Sequence, residues 1–533
     1  MLRIFIVPLL IFCLMISLTP AAAANSIGAG KKIIYIPLDN RPVTKNQTFE
    51  VAEKLGYEMI VPPDEFLGTS ATKYGEPDKL WEWLNKNATG ANAAVISTDS
   101  MLYGSLVSSR KHDFDEATIL NRVEKFRQFH NKYPRLPLYI FGSIMRTPRP
   151  AGSSAEPEYY KQYGWAIFNY TALNDKSETE KLSRSETKTF NYLKSIIPEE
   201  VFKDWFYRRN INYKASEKLV DMTNEGIFDY FLLGCDDNAV YSQTNLERRH
   251  IAEYGKNIGR TRFLATSGAD ELGILMIARA VNNDLYDIPF ISVTYNEGKG
   301  GDTIPSYSND KIRNSIDEAI LAIGAMKIPA PERADLALTV NTFRNGKTLE
   351  ASSPSNTIKP RRDTKTFMKI VNDYINKGYP VGIADIAFAN GADNALMEQL
   401  RKNDLQFKIR SYSGWNTATN SSGFLIGAGS MIKWLDDKAI NALLITRYLD
   451  EWAYQANVRT TLANNIPTFP GKGNGSKLEE KEDAAVKMGS ELLAQFAKDK
   501  LKLPAGYYLE NVRMTLPWSR IFESNVYFDL TNK

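Results

Sequence analysis

Histidine and cysteine are the scarce residues of this chain. Three His (112, 130 and 250) and two Cys (13 and 235) occur among 533 residues. No His/Cys cluster has the spacing of a zinc site. His112 and His250 stand beside Lys111 and Arg249, and His130 falls in a charged stretch, so all three are expected at the surface. There is no G-x-S-x-G elbow, which removes one familiar serine-nucleophile arrangement. G-x-G-x-x-G and G-x-x-x-x-G-K-[ST] are also missing, and with them the fingerprints of dinucleotide and nucleoside triphosphate sites. No cofactor is expected. Lys and Arg form no long basic run and the formal net charge is only +4, so no nucleic-acid partner is expected. No internal repeat is visible, and the one small linker reads FPGKGNGSK.

What remains is a globular composition, 43% hydrophobic and 24% charged, with ample apolar material for a large core and more than one domain. Residues 1–24 read as a signal peptide. Arg3 supplies the positive start, residues 4–18 the apolar run, and residues 22–24 an A-x-A cleavage site. The run is short for a membrane span of ~20 residues, so cleavage and export are expected, with no membrane attachment afterwards. Cys13 would leave with the signal. Cys235 then stands alone, without a disulfide partner, and its place in an apolar strand marks it as a small buried hydrophobe.

The mature chain alternates strand and helix. KKIIYIPL, YEMIVPP, NAAVISTDS, LPLYIFGSI, FDYFLLGCDD, RTRFLATSGAD, IPFISVTYNEG and ADLALTVNTF are near-continuous apolar runs. Such runs, each followed by a helix, indicate a parallel sheet covered on both faces. Eight units within 31–345 predict an α/β fold with a (β/α)8-barrel-like catalytic domain, carrying a helical insertion at 155–225. Further α/β units at 350–533 would contribute to the same cleft. Two doubly wound α/β domains are the alternative architecture.

Polar residues gather where the strands end. Asp39, Asn40 and Arg41 follow the first strand, Asp99 and Tyr103 the third, and Arg146 the fourth. Asp236, Asp237 and Asn238 follow the fifth, Asp270 and Glu271 the sixth, and Tyr295 the seventh. Asn390, Trp415 and Asn416 come later, with Asp385, Asp393, Arg447 and Asp450 nearby. The carboxyl ends of parallel strands form one ligand-binding face, so these side chains are expected to converge. Helix capping is the competing job for Asp and Asn, for Asp270 and Asp393 in particular. Arg41 and Arg146 oppose a helix dipole and call for anionic partners, either substrate groups or neighbouring carboxylates.

The adjacent carboxylates of LLGCDDN admit three roles: acid/base chemistry, a divalent cation, or a helix cap. Carboxylates and aromatics at strand ends suit a carbohydrate site, with Tyr103, Tyr295, Trp415 and Trp452 as candidate sugar platforms. Trp452, in DEWAYQ, reads rather as core.

Six stretches, YIPLDNRPV, STDSMLYGSLVSSR, LLGCDDNAVYSQ, GADELGILMIARA, ANGADNALM and SGWNTATN, resemble the motifs of a bacterial family known only as domain of unknown function 4127. The resemblance covers nearly all of the mature chain and implies little about activity. FLLGCDDN is also similar to the strand-end Asp pair of O-GlcNAcase-type β-N-acetylglucosaminidases, which are barrels; there the pair falls on the fourth strand rather than on the fifth counted here. That likeness implies a substrate-assisted glycosidase, an exception to the rule of two separated carboxylates. Asp236 would orient the 2-acetamido group and Asp237 would serve as general acid and then base. Substrate contacts are then expected from Asp39, Asn40, Arg41, Asp99, Tyr103, Arg146, Asn238, Asp270, Glu271, Tyr295, Asn390, Trp415 and Asn416.

The expectation is therefore an exported glycoside hydrolase acting on N-acetylhexosamine-containing glycans, without a metal. Two rivals are a metal-dependent hydrolase using Asp39, Asp99, Asp236 and Asp237 as oxygen ligands, and a non-catalytic envelope carbohydrate-binding protein.

Overall fold

A computed structural model describes residues 26–149, 154–236, 238–466 and 477–532. The proposed signal segment and Asp237 lie outside them. The first six strands are β1 (Lys32–Ile36), β2 (Glu58–Ile60), β3 (Ala93–Ser97), β4 (Leu138–Ile144), β5 (Tyr230–Cys235) and β6 (Phe263–Ala265). They form one all-parallel sheet in the order β2-β1-β3-β4-β5-β6. The apolar runs are continuous because both faces are covered. Tyr35, Val95, Phe141 and Leu232 face one core, shared with helix Leu272–Asp284. Ile34, Ile96, Ile140, Leu233 and Cys235 face the other, with Trp81, Phe126 and Leu219 from helices on the far side. Cys235 behaves as the small hydrophobe expected of it, and burial pushes its thiol up to about 12.

The next strands are β7 (Phe290–Tyr295), β8 (Met326–Lys327), β9 (Leu336–Asn341), β10 (Leu349–Glu350), β11 (Val381–Asp385), β12 (Phe388–Ala389) and β13 (Ser411–Ser413). Five of them make a second parallel sheet, ordered β13-β11-β9-β7-β8, while β10 pairs with β12. The chain is thus a mixed α/β protein built on open parallel sheets. The eight-stranded barrel does not form among the described residues. The seventh and eighth apolar runs, β7 and β9, pair with each other, and β9 also pairs with β11, rather than extending the first sheet past β6. An apolar run followed by a helix specifies a parallel strand covered on both sides, and says nothing about which neighbour it takes.

One helix explains how the sheets come together. Ala418–Gly429 lies between helix Leu272–Asp284 and the second sheet. A Cβ on Gly427 would stand 2.8 Å from Ile274, and one on Gly429 would stand 2.8 Å from Leu336. Glycine at both positions lets the helix backbone approach on two sides, which fuses the inner faces into one core.

Three helices, Tyr160–Thr179, Arg184–Ile196 and Glu199–Glu225, fold around a satellite cluster of Tyr160, Ile167, Leu193 and Trp205. The C-terminus adds an antiparallel hairpin, β14 (Tyr507–Thr515) with β15 (Asn525–Asn532). The connection between these two strands returns to the carboxyl ends of the first sheet. Among the described residues no helix is long and apolar enough to cross a membrane.

Candidate active site

The carboxyl ends of β1, β4, β5 and β6 border a cleft of ≈ 1060 Å³. Six of the predicted site residues line it: Arg41, Arg146, Asp236, Asp270, Asn390 and Asn416.

Arg41 is the hub of one wall. The loop after β1 turns back so that Asp39, fully buried, accepts from the Arg41 backbone N–H at 3.1 Å, from its Nε at 2.9 Å, and from Thr44 Oγ1 at 2.7 Å. The far end of the guanidinium donates to Asp270 (Nη2 to Oδ1, 2.7 Å) and to Glu523 (Nη1 to Oε1, 3.2 Å). Three carboxylates on one guanidinium answer the demand for an anionic partner: Arg41 serves its neighbours. Burial pushes Asp270 and Glu523 above the ordinary carboxylate range; Arg41 opposes the rise at both, joined by Arg520 at Glu523. Asp270 accepts a further bond from Asn416 Nδ2 at 2.9 Å. Helix Leu272–Asp284 begins without a side-chain cap, so Asp270 is committed to the cleft and not to capping. Asp393 does cap its helix, accepting from the N–H of Ala395 at 2.9 Å.

Asp236 follows β5 directly. Arg110 Nη2 donates to its Oδ2 at 2.5 Å, and Arg146 Nη1 stands 3.8 Å from the same oxygen. Both arginines also meet Glu156, Arg146 through Nε at 2.6 Å and Arg110 at 3.6 Å. Asp236 is no helix cap: the next helix, Gln243–Tyr254, is capped by Ser242. Asn238 is buried outside the cleft lining, accepting from Ser242 Oγ at 2.8 Å.

Asn390 and Asn416 both have left-handed backbones, φ 61° and 64°, a conformation Asn tolerates better than most residues. The Asn390 N–H donates to the Asn416 carbonyl at 2.9 Å, which locks the two turns together. Buried Glu451 fixes the second turn from behind, accepting from the Gly414 N–H at 2.6 Å and from Arg447 at 2.9 Å. Its burial pushes it up to about 7.

Other predicted contacts lie elsewhere. Asp99 is buried and ties β3 to β4, accepting from the Ser143 N–H at 2.8 Å and hydroxyl at 2.7 Å; burial pushes it up to about 6. Tyr103 is buried against His112, ring centroids 4.9 Å apart. His112 is therefore not at the surface: it is sandwiched between Tyr103 and Phe114, and burial pushes it down to about 4. A charged neighbour in the sequence does not keep a ring in water when two aromatic faces enclose it. Glu271 lies buried behind Asp270, pushed up to about 8 mainly by burial. Tyr295, half-buried, ends β7 away from the cleft lining. Trp415 is only 4% exposed and packs in the shared core near Phe522. Trp452 is core, as expected.

Asn40 is connected to the cleft indirectly: its Oδ1 accepts from Trp518 Nε1 at 2.8 Å. Trp518, Arg520 and Phe522 line the cleft, as do Arg110 and Tyr307. None was singled out from the sequence, because the first three sit in the hairpin connection, far along the chain from β1. The only signal was local: PWSRIF packs two aromatics and an arginine into six residues.

Among the described residues no group of three or more His, Cys, Asp or Glu is placed to hold a metal ion. Asp39 and Asp99, two of the proposed ligands, are engaged by Arg41, Thr44 and Ser143.

No curated protein matches this chain. A family model described as "Protein of unknown function (DUF4127)" matches residues 33–527, and the chain belongs to that family.

Proposed function

We propose that the protein is an exported glycoside hydrolase acting on N-acetylhexosamine-containing glycans by a substrate-assisted route. The observation that carries this reading is Asp236: a carboxylate at the end of a parallel strand, in an open cleft, held in place by Arg110 and Arg146. In such a mechanism one carboxylate accepts the acetamide N–H and turns the acetamide oxygen onto the anomeric carbon. Its neighbour protonates the departing glycosidic oxygen and later deprotonates water. Asp236 takes the first role. Asp237, adjacent in sequence, takes the second. An amide and two aromatics in the same cleft lining, Asn416, Trp518 and Phe522, supply the hydrogen bonds and flat surfaces that sugars use.

A panel of chromogenic N-acetylhexosaminides, assayed with and without chelator, tests the reading. Hydrolysis that survives chelation supports it. Hydrolysis abolished by chelator and restored by Mg2+ or Ca2+ replaces it with metal-dependent chemistry. Binding of the sugars without turnover leaves a carbohydrate-binding protein.

A further inference from the structure

The cleft lining carries cations that the hydrolytic reading does not use. Arg520 lies along Trp518, with its guanidinium carbon 4.5 Å from the ring centroid, and 5.3 Å from that of Phe522. These contacts hold the guanidinium plane in the cleft lining. Its one hydrogen bond among the described residues runs from Nη2 to Glu523 Oε1 at 3.1 Å. That same oxygen also accepts from Arg41, so one carboxylate oxygen is divided between two guanidiniums. Lys477 stands on the same wall: the N–H of Leu478 donates to the Ser519 carbonyl at 2.7 Å, which sets Lys477 beside the residue preceding Arg520. No hydrogen bond or ion pair of Lys477 forms among the described residues. The segment that presents these groups is strained. Trp518 and Ser519 have φ of 60° and 51°, two consecutive non-glycine residues in the left-handed region. Such strain persists where surrounding contacts impose it and gathers at ligand sites. Here the contacts are Trp518 Nε1 to Asn40 on one side, and Tyr454 Oη to the Ile521 carbonyl at 2.7 Å on the other.

We infer that Arg520 and Lys477 form a subsite for an oxyanion, a carboxylate or a phosphate, carried by the glycan that the cleft binds. The inference rests on the glycan reading and narrows it to acidic saccharides. Arg520 presents the flat N–H edge that carboxylate and phosphate accept, Lys477 adds a point charge, and Glu523, behind them, is already shared.

Isothermal titration of the purified full chain with two matched pairs tests it. One pair is a uronic acid–N-acetylglucosamine disaccharide against diacetylchitobiose. The other is N-acetylglucosamine 6-phosphate against N-acetylglucosamine. At least one acidic member should bind roughly tenfold more tightly than its neutral partner, the worth of one charge-assisted hydrogen bond, and the preferred pair identifies the oxyanion. That preference should shrink as salt rises. Arg520→Gln should bring the ratio close to one, and Lys477→Gln, an exposed substitution that leaves the fold alone, should reduce it in the same direction. Equal affinities within both pairs would overturn the subsite and leave the glycan reading standing. A preference undiminished in both variants would remove these residues from it. A chain that binds none of the four sugars would overturn the glycan reading and the subsite together.

Discussion

The two sheets end in similar side chains and use them differently. At the second sheet, Asp385 accepts from Asn341 Nδ2 at 2.8 Å, from the Asp393 N–H at 2.7 Å and from Tyr412 Oη at 2.8 Å. Asp393 caps a helix and meets Arg361. Asp385 and Asp393 are fully enclosed, and burial together with Asp393 pushes Asp385 up to about 7. At the first sheet, Asp236 and Asp270 are also bonded, yet both line an open cleft. Carboxylates at strand ends therefore do two jobs. Enclosed carboxylates fasten loops; those that line a cleft face the space a ligand would occupy.

The sharpest break of that comparison is at Asp237. Asp237→Asn should lower turnover of N-acetylhexosaminides by roughly 10²–10⁴-fold, with less loss on aryl glycosides whose leaving groups need no proton. Steady-state kinetics on both substrate types checks this, and equal losses on the two would remove the acid/base role. Asp236→Asn should impair both types alike. It should also lower stability, because Arg110 loses its 2.5 Å partner in a buried setting. Two adjacent Asp suggest that removing one relieves repulsion; the arginine reverses the sign.

Arg41→Met should cost about 3–5 kcal/mol in denaturant unfolding, since it strands three buried carboxylates. If stability is unchanged, Arg41 is no hub.

The two tryptophans sharpen the comparison further. Trp415→Ala removes a core ring and should cost ~3–5 kcal/mol. Trp518→Ala, at a half-exposed ring, should cost clearly less while weakening saccharide binding. Thermal melts and titration of the two variants side by side would show whether the assignments are reversed.

The last prediction is a pH dependence. Glu271 is pushed up from 4.5 to about 8 in the folded chain. Between those values the unfolded chain releases the proton while the folded chain keeps it, so this group's contribution to stability falls as pH rises. Glu271→Gln should therefore melt increasingly higher than the parent from pH 5 to pH 8.5. A constant difference across that range would show that Glu271 ionises normally.

Much of the first sheet and part of the site were legible in the sequence. The apolar runs of β1, β3, β4 and β5 announce buried parallel strands, and the polar residues just beyond mark the binding face. Arg41, Arg146, Asp236 and Asp270 followed from that rule alone. Trp415 did not: an aromatic beside Asn in a Gly-started turn reads as a platform, and only packing against Phe522 and the shared core shows it enclosed. Arg110 reads as a surface residue in VSSR, yet it is 3% exposed because Asp236 and Glu156 meet it inside the cleft wall.

The sequence by itself determined the α/β class, the strand segments, the buried Cys235 and the family. These depend on hydrophobic period and local motif, which are properties of neighbours in the chain. Tertiary structure decided that the strands divide between two open sheets, and that Trp518, Arg520 and Phe522 close a cleft begun at Arg41. Strand partners and cleft walls are chosen by shape and charge across hundreds of residues, as when Arg41 meets Glu523, and no local pattern encodes a contact of that separation.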